Sequence, residues 1–228
     1  MDHAHKFGLA QEELKCIACV TMLIDHIGAV FFPYAIWLRI IGRVSFPIYC
    51  FLISEGVHHT RSPMKYGLRL LLVALIAELP YDLLFYGQFT WAHNSVMVTL
   101  LLGYGAGIAM KQSPGLIKLI APLPFLLAGR FLGGSYGMYG VAVVVMFLLT
   151  KEVPYRPVIQ LLLMVLLCLR MAGFPYDIGI QVYAFFSLIP IFLYSGEKRN
   201  RGKALQWAFT LFYPAHMLLL LLIQTIFP

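Results

Sequence analysis

Asp25 and His26 stand side by side inside LKCIACVTMLIDHIGAVFF, an apolar run long enough to cross a bilayer. A second run, IWLRIIGRVSFPIYCFLISEG, follows after almost no connection and carries Arg39, Arg43 and Glu55. A carboxylate at the centre of a membrane helix costs about 2.5–3.5 kcal/mol on insertion scales, so it is expected to face a partner or a wet cavity. An imidazole that titrates near neutrality is the natural general base, and nearby carboxylates hold its tautomer or stabilise its cation. Neighbouring helix positions point about 100° apart. Asp25 and His26 therefore cannot form a dyad with each other. The preferred division has Asp25 facing Arg43 and His26 facing a cavity, and the reverse assignment satisfies the sequence equally.

These side chains need a scaffold, and the apolar runs supply it. Nine segments of roughly bilayer-spanning length are expected: Leu14–Phe32, Ala35–Val57, Tyr66–Tyr86, Ser95–Met110, Leu116–Leu132, Tyr136–Leu149, Pro157–Ala172, Ile178–Tyr194 and Leu205–Phe227. The sixth and seventh are short. Pro63, Pro114, Pro154 and Pro157, with Gly87, Gly115, Gly133, Gly134 and Gly173, mark the connections. Basic residues alternate between them. Lys6 and Lys15, then Arg61, Lys65 and Arg69, then Lys111 and Lys118, Lys151 and Arg156, and Lys198, Arg199, Arg201 and Lys203 fall on one side. Connections Pro33–Tyr34, Gly87–Asn94, Gly133–Ser135 and Gly173–Asp177 hold no Lys or Arg. That is the positive-inside pattern of an odd number of crossings, with the N-terminus cytoplasmic and the C-terminus outside.

Composition agrees with this picture. A chain of 228 residues that is 61% hydrophobic and 12% charged is no ordinary soluble domain. The expectation is one all-α, polytopic integral membrane bundle covering residues 1–228, in the cytoplasmic membrane, with the lipid bilayer as partner. The net charge of +7 follows from topology, so no nucleic-acid partner is expected. The polar start MDHAHKFGLAQEELK makes the first run a retained span rather than a cleaved signal. Cys16, Cys19, Cys50 and Cys168 lie within apolar runs at spacings that suit neither disulfides nor a metal site.

On that topology the costly residues gather in the outer half. Glu78 and Asp82 are four apart around Pro80; His93, Asn94, Arg130, Ser135, Tyr136, Arg170 and Asp177 fall at outer ends; Tyr213-Pro214-x-His216 sits near mid-depth. Each has a structural alternative. Asp25 with Arg43 can be an ion pair that only fixes two helices. Glu78 and Asp82 can pair with Arg130 or Arg170. His216 can cap the carbonyl freed by Pro214, and Tyr136, Tyr139 and the phenylalanine stripes can be interface packing.

The series formed by DH in the first span, GRVSFPIYCFLISEG, RLLLVALIAELPYDL, Asn94, GGSYGMYG and FYPAH resembles the TraX family, polytopic membrane proteins named for N-terminal acetylation of conjugative pilin. FPIYCFLISEG is also similar to the wider transmembrane acyltransferase group, which includes the acyltransferase-3 proteins and heparan glucosaminide acetyltransferases. The resemblance implies acetyl or acyl transfer from cytoplasmic acetyl-CoA, or another acyl-CoA, to a hydroxyl or amine acceptor at the outer side. The acceptor can be a surface glycan, a lipid-linked sugar or a peptide amine. Arg61, Lys65 and Arg69 are then expected to meet the coenzyme A phosphates. His26 is the expected general base, with Asp25 and Arg43 in the catalytic group. Arg43, Asn94 or Tyr136 would stabilise the oxyanion, and Glu78, Asp82, Asn94, Tyr136 and His216 would line the acceptor site. No metal is implied. No Ser or Cys with a nucleophile signature adjoins His26, which favours direct transfer. Two other functions use the same residues: a proton-coupled transporter or flippase relaying through Asp25, His26, Glu78 and Asp82, and a non-catalytic assembly partner.

Overall fold

The computed structural model describes residues 8–90, 93–132, 135–172, 179–199 and 202–226. Lys6, Gly133, Gly134, Gly173, Asp177, Ile178, Arg201 and Phe227, used in the sequence reading, lie outside the described residues. Regular structure among the described residues is helical: α1 (Gln11–Val30), α2 (Ile36–Gly42), α3 (Ser45–His59), α4 (Pro63–Tyr86), α5 (Val96–Gln112), α6 (Ile117–Ile120), α7 (Leu123–Phe131), α8 (Gly137–Thr150) and α9 (Arg156–Ala172), then a 3-10 helix (Ile180–Ser187), α10 (Leu188–Phe192) and α11 (Lys203–Ile226).

The expected segments recur, but three of them are not single helices. Ala35–Val57 divides between Gly42 and Ser45. Pro47 is the cause: it has no N–H to bond the Arg43 carbonyl one turn back, and its ring disfavours a straight continuation. Leu116–Leu132 divides at Ala121–Pro122 for the same reason. The eighth segment begins as a 3-10 helix and becomes α-helical at Leu188. Pro80 and Pro214, by contrast, sit inside continuous helices.

Among the described residues two helices are long and apolar enough to cross a membrane, Ile36–His59 taken through its break and Lys203–Ile226. The α1 and α4 helices, of 20 and 24 residues, are also long enough, yet each carries four charged residues: Glu12, Glu13, Lys15 and Asp25 in the one, Lys65, Arg69, Glu78 and Asp82 in the other. Asp25, Glu78 and Asp82 are among the charges that lower the hydropathy of these helices.

The core runs along α3, α5 and α8. Ile48, Cys50, Val57, Val143 and Val144 are fully or almost fully buried there. Around them α8 packs on α3, α5, α7 and α9, while α1 packs on α2, α3 and α11, and α4 on α5 and α11. The outward faces of α4, α9 and α11 expose rows of large apolar side chains, among them Leu72, Leu75, Leu162, Leu166, Leu218 and Leu222. An apolar surface of that extent suits contact with hydrocarbon rather than with water.

Close approach at one glycine positions the site. A Cβ at Gly42 would overlap the Asp25 carboxylate, so only glycine lets α2 settle against α1 there. Gly42→Ala is expected to lower stability by about 1–3 kcal/mol through overpacking. Thermal unfolding in detergent reads this; Gly115→Ala, with open space where the Cβ would go, is the strained but uncrowded control.

Candidate active site

Asp25 and His26 leave α1 in different directions, as their spacing requires. Asp25 turns to α2, where its Oδ1 accepts from Arg43 Nη2 at 2.6 Å and its Oδ2 from Arg39 Nη1 at 2.9 Å. Arg39 also donates to the Asp25 backbone carbonyl at 2.8 Å. The other two nitrogens of Arg43 are engaged as well: Nε meets the Arg39 carbonyl at 3.1 Å, and Nη1 meets Tyr136 Oη and Gln181 Oε1, each at 3.3 Å. Gln181 passes the network on, donating to Tyr139 Oη at 3.2 Å, and that hydroxyl lies 3.4 Å from Cys168 Sγ. A buried ion pair is stable only when its leftover donors and acceptors are satisfied in this way.

His26 turns to α11. Its Nδ1 lies 2.7 Å from His216 Nε2, and His216 Nδ1 lies 2.7 Å from the Phe212 carbonyl. The two rings are nearly parallel, 8° apart with centroids at 5.0 Å, as a hydrogen bond between two ring edges demands. A carbonyl only accepts, so His216 Nδ1 carries the proton and its Nε2 is the acceptor in the neutral ring. His26 Nδ1 therefore donates, and the lone pair of His26 sits on Nε2. His216 caps the carbonyl of Phe212, not the one at Thr210 that Pro214 leaves without its partner. The imidazole is thereby fixed at both edges.

His26 borders a cavity of about 350 Å³, with Asp25, Arg39 and Arg43 on one side and Tyr81, Phe85 and Tyr86 of α4 on another. Tyr136 also borders it, stacked on Phe46 with centroids 3.7 Å apart. Ser45 is in the wall, but its hydroxyl donates to the Ala18 carbonyl at 2.8 Å. A second cavity of about 140 Å³ adjoins the first along the same helices, lined by Lys15, Cys19, Tyr66, Arg69 and Phe209. Met22, Tyr49, Val96 and Tyr213 border both cavities and form the waist between them. Tyr49 is fixed there by a 3.2 Å hydrogen bond with Cys19 Sγ.

Other residues singled out in the sequence stand elsewhere. Both Glu78 oxygens accept from the Ser95 N–H at 3.1 Å, and Oε1 also accepts from its hydroxyl at 2.6 Å. Ser95 precedes the first turn of α5, where a carboxylate is favoured by the helix dipole. Asp82 is fully buried and accepts from the Thr90 N–H at 2.9 Å. Neither acid pairs with Arg130 or Arg170, which are exposed, and neither borders the two cavities. Asn94 donates to the Leu132 carbonyl at the exposed surface and is also outside both walls. Arg61 and Lys65 are exposed, whereas Arg69 enters the smaller cavity with its guanidinium 5.0 Å from the Tyr66 ring. Glu55 lies at the far end of α3, paired with Lys151 at 3.0 Å and His59 at 3.3 Å.

Sequence reasoning passed over Gln181 and Tyr49, named Tyr213 only as part of the motif around His216, and read Lys15 only as a marker of topology. An amide inside the run IQVYAFFS is a signal that would have found Gln181, since a buried amide needs partners. Nothing local marks Tyr49.

A bundle of this kind, with a buried carboxylate–guanidinium pair and a fixed imidazole on a cavity, defines a helical, membrane-compatible protein with a polar interior site. The family model described as "TraX protein" matches residues 10–224, and the chain belongs to that family. It is 31% identical over 234 residues to a probable fimbrial assembly protein FimC, serogroup H1, of Dichelobacter nodosus, covering 91% of this chain and 93% of the relative. An uncharacterized protein RP591 of Rickettsia prowazekii (strain Madrid E) is 29% identical over 93 residues, covering 41% of this chain and 34% of that protein. No solved structure matches.

Breaking the buried pair with Asp25→Ala is expected to cost about 3–5 kcal/mol, because Arg43 is left charged and without its anion. Arg39→Gln is expected to cost about 1 kcal/mol or less, since the Arg39 side chain is 28% exposed. Thermal unfolding of the two variants side by side gives the order.

Proposed function

We propose that the protein is an integral membrane acyltransferase that moves an acetyl or other acyl group from a coenzyme A thioester to an acceptor hydroxyl or amine. The observation that carries this reading is the hydrogen-bonded series Phe212 carbonyl, His216, His26, which ends with an available imidazole nitrogen on a cavity that shares four wall residues with a second, cation-bearing cavity. In the proposed membrane arrangement the chain crosses nine times with its N-terminus in the cytoplasm, and the Lys15 and Arg69 end faces inward. Membership of the TraX family and the apolar outer faces of the helices support it.

The coenzyme A phosphates would meet Lys15 and Arg69, with Arg61 and Lys65 as outlying cations on the same face. The thioester arm would run through the smaller cavity toward the waist. Lys15 and His26 are about 16 Å apart along α1, and a pantetheine arm has roughly the length of four extended residues, on the order of 14 Å. The scale is right for a thioester carbonyl delivered beside His26 while the phosphates stay at the basic end.

In the chemical step, His26 Nε2 takes the acceptor proton as the acceptor oxygen or nitrogen bonds to the thioester carbonyl carbon. The carbon–sulfur bond breaks, and the departing thiolate takes that proton, so coenzyme A leaves as the thiol. His216 keeps Nε2 unprotonated and aimed, and it accepts more strongly from Nδ1 as the imidazolium forms. Tyr136 Oη is the donor best placed for the oxyanion, because each nitrogen of Arg43 already has a partner. No metal enters this step.

A second reading, an assembly factor without turnover, is favoured by the name of the Dichelobacter relative alone. It predicts no thioester binding. Coenzyme A release from acetyl-CoA by the purified protein separates the two. His26→Ala is expected to abolish release, and His216→Ala to lower kcat by about 10²-fold with little change in KM. Lys15→Ala with Arg69→Ala should raise KM for acetyl-CoA and leave kcat near its starting value. Release that is unchanged in His26→Ala would remove His26 from the mechanism.

A further inference from the structure

Met22, Tyr49, Val96 and Tyr213 border both cavities, so they stand where a thioester arm in the smaller one and an acceptor in the larger one would meet. Met22 and Val96 have no side-chain hydrogen to donate. The Tyr213 hydroxyl is drawn to the start of α5, where it accepts from the Val96 N–H. The Tyr49 hydroxyl reaches α1 instead, 3.2 Å from Cys19 Sγ, and Cys19 lines the smaller cavity alone. A thiol is a weak donor and a weak acceptor, so either direction of this bond leaves the Tyr49 hydroxyl without a strong partner. The other hydroxyls of the larger wall include Ser45, given to the Ala18 carbonyl at 2.8 Å, and Tyr81 and Ser135, 2.8 Å from each other.

The place of this bond suits a leaving atom. Along one stripe of α1, Lys15 and Cys19 border the smaller cavity, Met22 borders both and His26 borders the larger. Cys19 and His26 share that face and are about 10 Å apart along the helix. A line of atoms from His26 Nε2 through the attacking atom, the acyl carbon and the sulfur to a hydroxyl donor spans roughly 9 Å, with ordinary hydrogen bonds at its two ends. A thioester whose carbonyl is presented to the acceptor beside His26 therefore brings its sulfur to the level of the Tyr49 hydroxyl. A hydroxyl held by neutral sulfur gives up little on meeting a thiolate, because a hydrogen bond to an ionised partner is roughly twice as strong.

We infer that Tyr49 is a catalytic residue that donates its hydrogen bond to the departing sulfur of the thioester, exchanging Cys19 Sγ for it. The inference rests on the acyl-transfer reading above and adds the group that meets the leaving atom. As the acceptor atom bonds to the acyl carbon, the carbon–sulfur bond breaks and both of its electrons go to sulfur, where the Tyr49 O–H faces the new thiolate. Tyr49 keeps its proton. The proton that converts the thiolate to a thiol is the one His26 took from the acceptor. Once coenzyme A leaves, the hydroxyl returns to Cys19, which holds it in place between turnovers.

The test uses the full chain purified in detergent, with octylamine or octanol as the acceptor probe and two donors: acetyl-CoA and its selenoester analogue, in which selenium replaces the thioester sulfur. The donors share phosphates and arm, but the selenolate is the weaker base and departs with less help. Transfer is followed in single turnovers by mass spectrometry. Tyr49→Phe keeps the ring between the cavities and is expected to slow transfer from acetyl-CoA by about 10- to 100-fold. The same variant should slow the selenoester by less than about threefold. Cys19→Ala breaks the same 3.2 Å bond but keeps the hydroxyl, so any change it makes should be equal for the two donors. Equal slowing of both donors by Tyr49→Phe overturns the inference, as does an undiminished rate from acetyl-CoA. Should Tyr49→Phe fail to fold, fluorotyrosine in place of Tyr49 decides. Its more acidic hydroxyl should speed transfer from acetyl-CoA relative to the selenoester, and an unchanged ratio overturns the inference. Absence of product from the native chain with both donors and both acceptors overturns the acyl-transfer reading, and the inference with it.

Discussion

A buried carboxylate tolerates an apolar bundle only with its charge matched, and here the match to Arg43 and Arg39 determines much of the architecture. Asp25 on α1 requires α2 to lie close, which Gly42 permits and the break before Pro47 directs. Arg43 in turn requires acceptors for its other donors, and these come from Tyr136 at the start of α8 and Gln181 in the 3-10 helix. One ion pair between consecutive helices thus recruits two further stretches of chain that are remote in sequence. Removing either charge would expose the cost of the other, so the elements stand or move together.

The imidazole arrangement depends on that framework without sharing its charge. His26 lies on the adjacent face of α1 and meets α11, so the ion pair and the histidine pair fix α1 from two directions. The division assigns separate tasks: Asp25 holds structure and local potential, while the ordering of His26 falls to His216 and a backbone carbonyl. A carboxylate in the place of His216 would hold the same tautomer, but it would bury a second anion. A neutral imidazole does so with no further ionic group in the apolar interior.

Helix locations were legible from hydropathy, and so was the rule that Asp25 and His26 face different neighbours, because period fixes the angle between them. Which of the two meets Arg43 was not legible, and the ion pair decides it. The breaks within the second and fifth segments were legible in principle, from Pro47 and Pro122, but a hydropathy reading passes over a proline inside an apolar run. The partners of Glu78 and Asp82 were not legible. Opposite charge suggested Arg130 and Arg170, whereas the backbone N–H groups of Ser95 and Thr90 answer the same electrostatic need, and every residue but proline offers that donor. The meeting of His26 with His216 joins residues 190 positions apart, and no local pattern carries such a pairing. Lys15 and Arg69 show a related limit: the rule that places basic residues on one side of a membrane does not say which of them turn inward.

The waist of Met22, Tyr49, Val96 and Tyr213 has an electrical meaning. In the proposed membrane arrangement, water filling the two cavities from opposite sides would carry the conducting phase deep into the bundle. The insulating layer would then shrink from the full hydrocarbon thickness to the few side chains around Tyr49, and most of a membrane potential would fall across them. Any charge that passes Tyr49 would be driven or opposed by that field, whereas a neutral acyl group would cross unaffected. In the proposed acyl transfer, an acceptor and a thioester arm meeting at such a constriction would exchange an acyl group while the membrane stays closed to ions.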